Sequence, residues 1–246
     1  MTKTLLSVIA IFLLAGSLCA VRAQEPLQGG SSASVVSGEV RLAEEKSGKL
    51  LRDSSGVGIW LVPFGTVETA RLDTTRQTFR MVQHNKQFHP HLLIVPLGSL
   101  VKFPNLDPWF HNVFSLYRGK RFDLGLYEAG SEKTVRFDRL GPSYIFCNIH
   151  PEMMAVVLTV DTTFYAVSDK QGHWSVSGVP PGRYRLHVWD ENAAPAALHA
   201  LDREVEVGPG GTVVAPLKVP VTPHDWLNHP NLYGRPYDTK QLTPVY

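Results

Sequence analysis

At 246 residues, 43% of them hydrophobic, the chain can bury one large core or two small ones. Its 24 basic and 22 acidic side chains leave a formal charge of +2, with no polybasic run, which argues against nucleic acid as a partner. Its 20 Gly and 18 Pro are spread along the chain, so short segments joined by turns are expected rather than long helices.

Residues 1–23 read as a signal peptide. Lys3 supplies the charged start, residues 5–18 the apolar run, and Val21-Arg22-Ala23 a small-residue cleavage site. The run is short for a membrane span, so no span is expected once the leader is removed. The mature chain, about 223 residues, would be formally neutral, periplasmic or secreted. Residues 24–34, rich in Gln, Gly and Ser, read as a flexible lead.

Short β-branched or aromatic runs follow at 35–42, 58–62, 92–96, 100–103, 113–116, 134–137, 144–146, 155–160, 173–176, 184–189, 204–207 and 212–219. Turn residues such as Gly141-Pro142 and Pro180-Pro181-Gly182 separate them. Residues 192–201 are Ala-rich enough for one short helical turn. The expected class is all-β, built as sandwiches.

Chemistry concentrates in Cys147-Asn148-Ile149-His150-Pro151-Glu152-Met153, where thiolate, imidazole and thioether recur every three residues. Cys19 leaves with the leader, so Cys147 is a lone thiol in an oxidising compartment, without a disulfide partner. A buried inert Cys is the plain alternative. With His150 and Met153 beside it, a metal ligand is the better reading. His111, upstream, completes two His, one Cys and a weak Met, the ligand set of a blue-copper electron-transfer site. The Cys loop is placed between two strand ends. His111 is placed just before a neighbouring strand, with Asn112 positioned to hydrogen-bond across to the Cys loop.

Residues 81–160 resemble the cupredoxins, the small blue-copper proteins such as plastocyanin and amicyanin. The resemblance rests on Gln87-Phe88-His89-Pro90, Val95-Pro96-Leu97-Gly98-Ser99, Phe103-Pro104-Asn105, His111-Asn112-Val113, Phe122-Asp123-Leu124-Gly125, Gly141 and the Cys147–Met153 run. It implies one type 1 copper, with His111, Cys147 and His150 as equatorial ligands and Met153 as the weak axial one. Two residues between His150 and Met153 match the short ligand loop of amicyanin-like proteins. Met154 is the competing axial candidate. Strand alternation sends the two Met side chains to opposite faces.

A second resemblance lies outside that segment. Asp169-Lys170-Gln171-Gly172 and Pro180-Pro181-Gly182-Arg183-Tyr184 look like the turns of a carboxypeptidase regulatory-like (transthyretin-like) β-sandwich. Its expected opening strands, Gly38-Glu39-Val40 and Val57-Gly58-Ile59-Trp60-Leu61, precede the copper segment. The expected organisation is a host sandwich of residues 35–75 and 163–220, a cupredoxin domain of 76–162 inserted into it, and a Pro-rich tail of 221–246. The alternative is domains in series. Insertion predicts that 35–42 or 58–62 shares a sheet with strands after 163. It also predicts a copper module that folds without residues before about 75.

The cupredoxin resemblance implies a carrier of single electrons rather than an enzyme, with a redox protein such as a cytochrome or dehydrogenase as its partner. One ring edge of His150 is expected near solvent, with Pro151 in the docking face. Copper storage or delivery, and adhesion or carbohydrate binding around a relic copper module, are the rival readings. His84, His89 and His91 are expected to be exposed rather than a second metal site. The tail, with Asp225-Trp226, Tyr233, Tyr237 and Tyr246, is expected to pack over a surface, and His224 and His229 have no ligand role. Asp190-Glu191 is expected to be solvated at a strand end.

Overall fold

The computed structural model describes residues 34–65, 77–116, 119–223 and 229–237. The leader, most of the flexible lead, His224, Asp225-Trp226 and Tyr246 lie outside the described residues.

In chain order the strands begin with β1 (Ser34–Glu44), β2 (Gly58–Pro63), β3 (Thr78–Arg80), β4 (Val82–His84) and β5 (Gln87–His89). Then come β6 (Leu92–Pro96), β7 (Leu100–Pro104), β8 (His111–Ser115), β9 (Phe122–Tyr127) and β10 (Glu132–Arg136). β11 (Gly141–Phe146), β12 (Met154–Val160), β13 (Tyr165–Val167), β14 (His173–Val179) and β15 (Gly182–Trp189) follow. α1 (Pro195–His199), β16 (Arg203–Val207), β17 (Thr212–Val213) and β18 (Leu217–Val221) complete the described order. The architecture is all-β and mostly antiparallel, consistent with the expected Greek-key arrangement. β1 with β17, β1 with β18, β6 with β12 and β3 with β7 are the parallel pairs.

The strands before residue 66 pair with strands after residue 163. β1 lies against β14, β17 and β18, while β2 lies between β13 and β15, with β16 at that sheet's edge. The Asp169–Gly172 turn between β13 and β14 is closed by Asp169, whose Oδ1 accepts the N–H groups of Gln171 and His173, each at 2.9 Å. Gly172 has φ +83°, and a Cβ there would lie 1.9 Å from the Val40 carbonyl oxygen, so only glycine fits.

Between β2 and β13 the chain makes two further sheets, β6-β12-β11-β8-β9 and β10-β7-β3, and the β4–β5 hairpin. β12 alternates strictly. Ala155 and Val157 join the core around Cys147, while Val156, Leu158 and Val160 join the core built on β1, β2, β14 and β15. Leu92 and Ile94 of β6 also point into that second core. The β6-β12-β11 part of this sheet is therefore a middle layer with an apolar surface on both faces. A copper module that folds without the strands before residue 75 would leave this face uncovered.

The run expected at 212–219 is two strands, β17 and β18, because Pro216 interrupts the ladder. Among the described residues no helix is long and apolar enough to cross a membrane.

Candidate metal centre

Two strand ends and one loop bring the candidate ligands together. β11 ends at Phe146 and delivers Cys147, and the loop returns to β12 at Met154. Two backbone bonds close the loop: Cys147 N–H to Met153 O at 3.3 Å, and Met153 N–H to His150 O at 3.0 Å. His111 is the first residue of β8, not a loop residue ahead of the strand. β8 pairs with β11 at Phe114 and Phe146, which sets His111 across from the Cys loop.

The result is a buried triangle. Cys147 Sγ lies 3.8 Å from His111 Nδ1 and 3.8 Å from His150 Nδ1, and the two Nδ1 atoms are 3.2 Å apart. A point about 2.1 Å from all three atoms exists at the centre of a triangle with these sides. For scale, Zn²⁺ binds imidazole nitrogen at about 2.0–2.1 Å and thiolate sulfur at about 2.3 Å. The donor set fits a metal ion, and the cluster His111, Cys147, His150, with Met153 beside it, matches a type 1 copper geometry. Met153 is 0% exposed and shares a core with Cys147, whereas Met154 is partly buried and packs against the other core.

The surroundings prepare these atoms to bind a cation. Burial and the neighbouring His111 push His150 down to about 4, and burial pushes His111 down despite the opposing pull of Asp107. Both imidazoles therefore keep a free lone pair at neutral pH. Burial raises the Cys147 thiol, and the backbone N–H groups of Asn112, Ile149 and His150 act in the other direction, in favour of the thiolate. Asn112 thus serves the Cys loop through its backbone. Its side-chain amide donates instead to Asp123 Oδ1 at 2.8 Å.

Asp107 gave no sequence signal beyond its place four residues before His111. Its Oδ2 accepts the His111 Nε2–H at 2.8 Å and the Lys86 N–H at 2.9 Å, and its Oδ1 accepts the Asn85 N–H at 2.7 Å. Asn85 and Lys86 both have positive φ, 54° and 55°, as a two-residue hairpin turn requires. Burial works against the Asp107 carboxylate, but the Lys86 N–H, the His111 ring and the Asn85 N–H together hold it below its ordinary range.

The His150 ring edge is not at the surface. His150 is 3% exposed, and its Nε2 is buried with no partner among the described residues. The C-terminal segment 229–237 lies on the ligand loop. His229 Nε2 meets Pro151 O at 3.1 Å, Leu232 N–H donates to Asn148 Oδ1 at 2.9 Å, and the Tyr237 hydroxyl donates to Cys147 O at 2.9 Å. The His229 ring lies 4.0 Å from Phe146 and 5.1 Å from Tyr237, centroid to centroid. Segment 229–237 of the tail thus packs over a surface, and that surface is the metal loop.

His84, His89 and His91 are exposed and join no metal-binding group among the described residues. Asp190 is not solvated but 6% exposed, and Glu191 pairs with His91 at 2.8 Å.

No family model and no curated protein matches this chain. Solved structures do match part of it. A copper-containing nitrite reductase from Thermus scotoductus SA-01 aligns at 20% identity over 35% of this chain, with a TM-score of 0.33. The alignment spans 23% of the reductase chain. A purple cupredoxin from Nitrosopumilus maritimus aligns at 21% identity over 33% of this chain and 99% of its own, with a TM-score of 0.31. A reduced amicyanin mutant aligns at 18% identity over 42% of this chain and 98% of its own, with a TM-score of 0.33.

Proposed function

We propose that this chain is an exported type 1 copper protein that carries single electrons between redox partners. The observation that carries this reading is the buried Nδ1, Nδ1, Sγ triangle of His111, His150 and Cys147, with Met153 at 0% exposure in the same core. Copper in that triangle would supply a one-electron couple between Cu(I) and Cu(II). The chain's own contribution is rigidity. Two β-strands and a hydrogen-bonded loop fix the three strong donors, and Asp107 fixes the His111 ring, so the ligands need not move when charge changes.

Met153 is the proposed axial ligand, and no enzymatic step is assigned to the site. A redox protein such as a cytochrome or dehydrogenase is the proposed partner, meeting this chain through a small, weak interface. The signal-peptide reading supports a periplasmic or secreted location. Storage or delivery is less well supported, because those roles need ligands that partners can reach, and His150 is buried within a loop that segment 229–237 contacts. We infer further that residues 76–162 are inserted in a host sandwich of 35–75 and 163–220. The pairing of β1 and β2 with strands after residue 163 supports that arrangement.

Protein-film voltammetry tests the proposal. The copper-loaded chain is expected to give a reversible one-electron wave. Met153→Leu is expected to keep the metal and raise the potential, since a weak donor to Cu(II) is lost. Absence of a reversible wave, with Cu(I) lost readily to a chelator, would favour delivery instead.

A further inference from the structure

A cavity of about 670 Å³ opens where β11 and β12 meet β2, β15 and α1, away from the metal ligands. Its size falls within the roughly 300–1,000 Å³ usual for small-molecule sites. The wall is largely apolar, and three of its members are aromatic: Trp60, Tyr144 and Trp189. Trp60 is held flat by stacking on His187 at 5.1 Å and 23°.

The charge on this wall has one sign. Asp161, Asp190, Glu191 and Asp202 line the cavity, and no Lys or Arg is among the described residues lining it. The histidines nearby are already engaged. His187 Nδ1 lies 2.9 Å and His199 Nδ1 3.6 Å from Asp202, and His91 Nε2 lies 2.8 Å from Glu191 Oε1. That leaves one carboxylate oxygen in need of a partner. Among the described residues, Glu191 Oε2 is buried beside the cavity and makes no hydrogen bond.

We propose that this cavity binds a small organic cation with a flat apolar body, its charge held against Asp190 and Glu191 and its body between Trp60, Tyr144 and Trp189. Aromatic faces attract cations, and carboxylates in a partly desolvated site attract them more strongly than in water. An anion would be repelled. A neutral hydrocarbon would leave Glu191 Oε2 unpartnered, at a cost. A sugar ring would need several polar partners around it, and the wall is mostly hydrophobic. The proposal is independent of the copper reading, since it uses neither the ligands nor their loop.

Tryptophan fluorescence of the full chain, titrated with benzyltrimethylammonium at pH 7.5, tests it. Neopentylbenzene, the uncharged isostere, and benzoate serve as competitors. Saturable binding of the cation is expected, with both competitors weaker by about tenfold or more. Asp190→Asn, Glu191→Gln and Trp60→Ala should each weaken binding by about tenfold. Glu191→Gln keeps the side chain's shape, so the test stands even if Asp190→Asn fails to fold. No saturation, equal binding of the isostere, or full affinity in Glu191→Gln would overturn the proposal.

Discussion

His111 Nε2 lies 2.8 Å from Asp107 Oδ2, and both side chains are closed to solvent. Because a carboxylate accepts only, Nε2 carries the ring proton and Nδ1 keeps the lone pair that faces Cys147. Asp107 is thus the group that aims His111 at the metal. Asp107→Asn is expected to weaken copper binding by roughly 10–100-fold and to raise the reduction potential, because a less basic imidazole favours Cu(II) less. Copper titration and voltammetry of the variant check both, and unchanged values would remove Asp107 from this role.

The tail offers a second test. His229, Leu232 and Tyr237 hold three points of the 147–151 loop, so the loop owes part of its burial to them. A chain ending at Asn228 is expected to keep its copper site but to lose Cu(I) to a competing chelator about tenfold faster, as local opening of a loop becomes easier when its contacts go. Stopped-flow chelation measures this. A rate equal to that of the full chain would mean that the tail does not guard the site.

Asp190 gives a pH signature. Burial, aided by the like charge of Glu191 and opposed by the Asn192 N–H, raises its carboxyl from 3.8 to about 6. Between those values the unfolded chain has released this proton and the folded chain still holds it. The contribution is therefore fully present below pH 3.8 and is lost as pH rises through about 6. At about 1.4 kcal/mol per pH unit, the loss is on the order of 3 kcal/mol. Asp190→Asn should flatten the stability profile across pH 4–6, as read by chemical denaturation. His91, raised by Glu191, adds a further fall above pH 6.5, outside that window.

The middle sheet bears on domain independence. Leu92, Ile94, Val156, Leu158 and Val160 face the core shared with β1, β2 and β15. Each such side chain contributes roughly 1.5–3 kcal/mol when buried, so five approach the whole net stability of a domain. A fragment of residues 77–162 is expected to be unfolded or aggregated at 25 °C, and to regain solubility when these five are made polar. Circular dichroism and size-exclusion chromatography decide it. A stable, monomeric unmodified fragment would contradict the shared core.

Much of this was legible in the sequence because its signals are local. Short β-branched or aromatic runs marked β6, β12 and β15, and the 147–153 spacing marked the metal loop. What stayed hidden depends on contacts between distant segments. β3, β4 and β5 are three residues each and too short for a period to register. Asp107 reads as an ordinary loop acid until the turn at Asn85-Lys86 folds onto it. Asp190 reads as a solvated strand end until β12 and α1 close around it. The exposed His150 edge was expected from the electron-carrier reading, and the segment that packs on the ligand loop starts some 80 residues later.

The visible spectrum of the copper-loaded full chain tests the central claim most directly. Cys147 Sγ in the triangle with two imidazole nitrogens should give a strong thiolate-to-copper charge-transfer band, so that the oxidised protein is blue or green. Cys147→Ser should lose that band entirely, because a hydroxyl cannot replace the thiolate. A colourless copper-loaded wild type, or a band that survives in Cys147→Ser, would contradict a type 1 site at His111, Cys147 and His150.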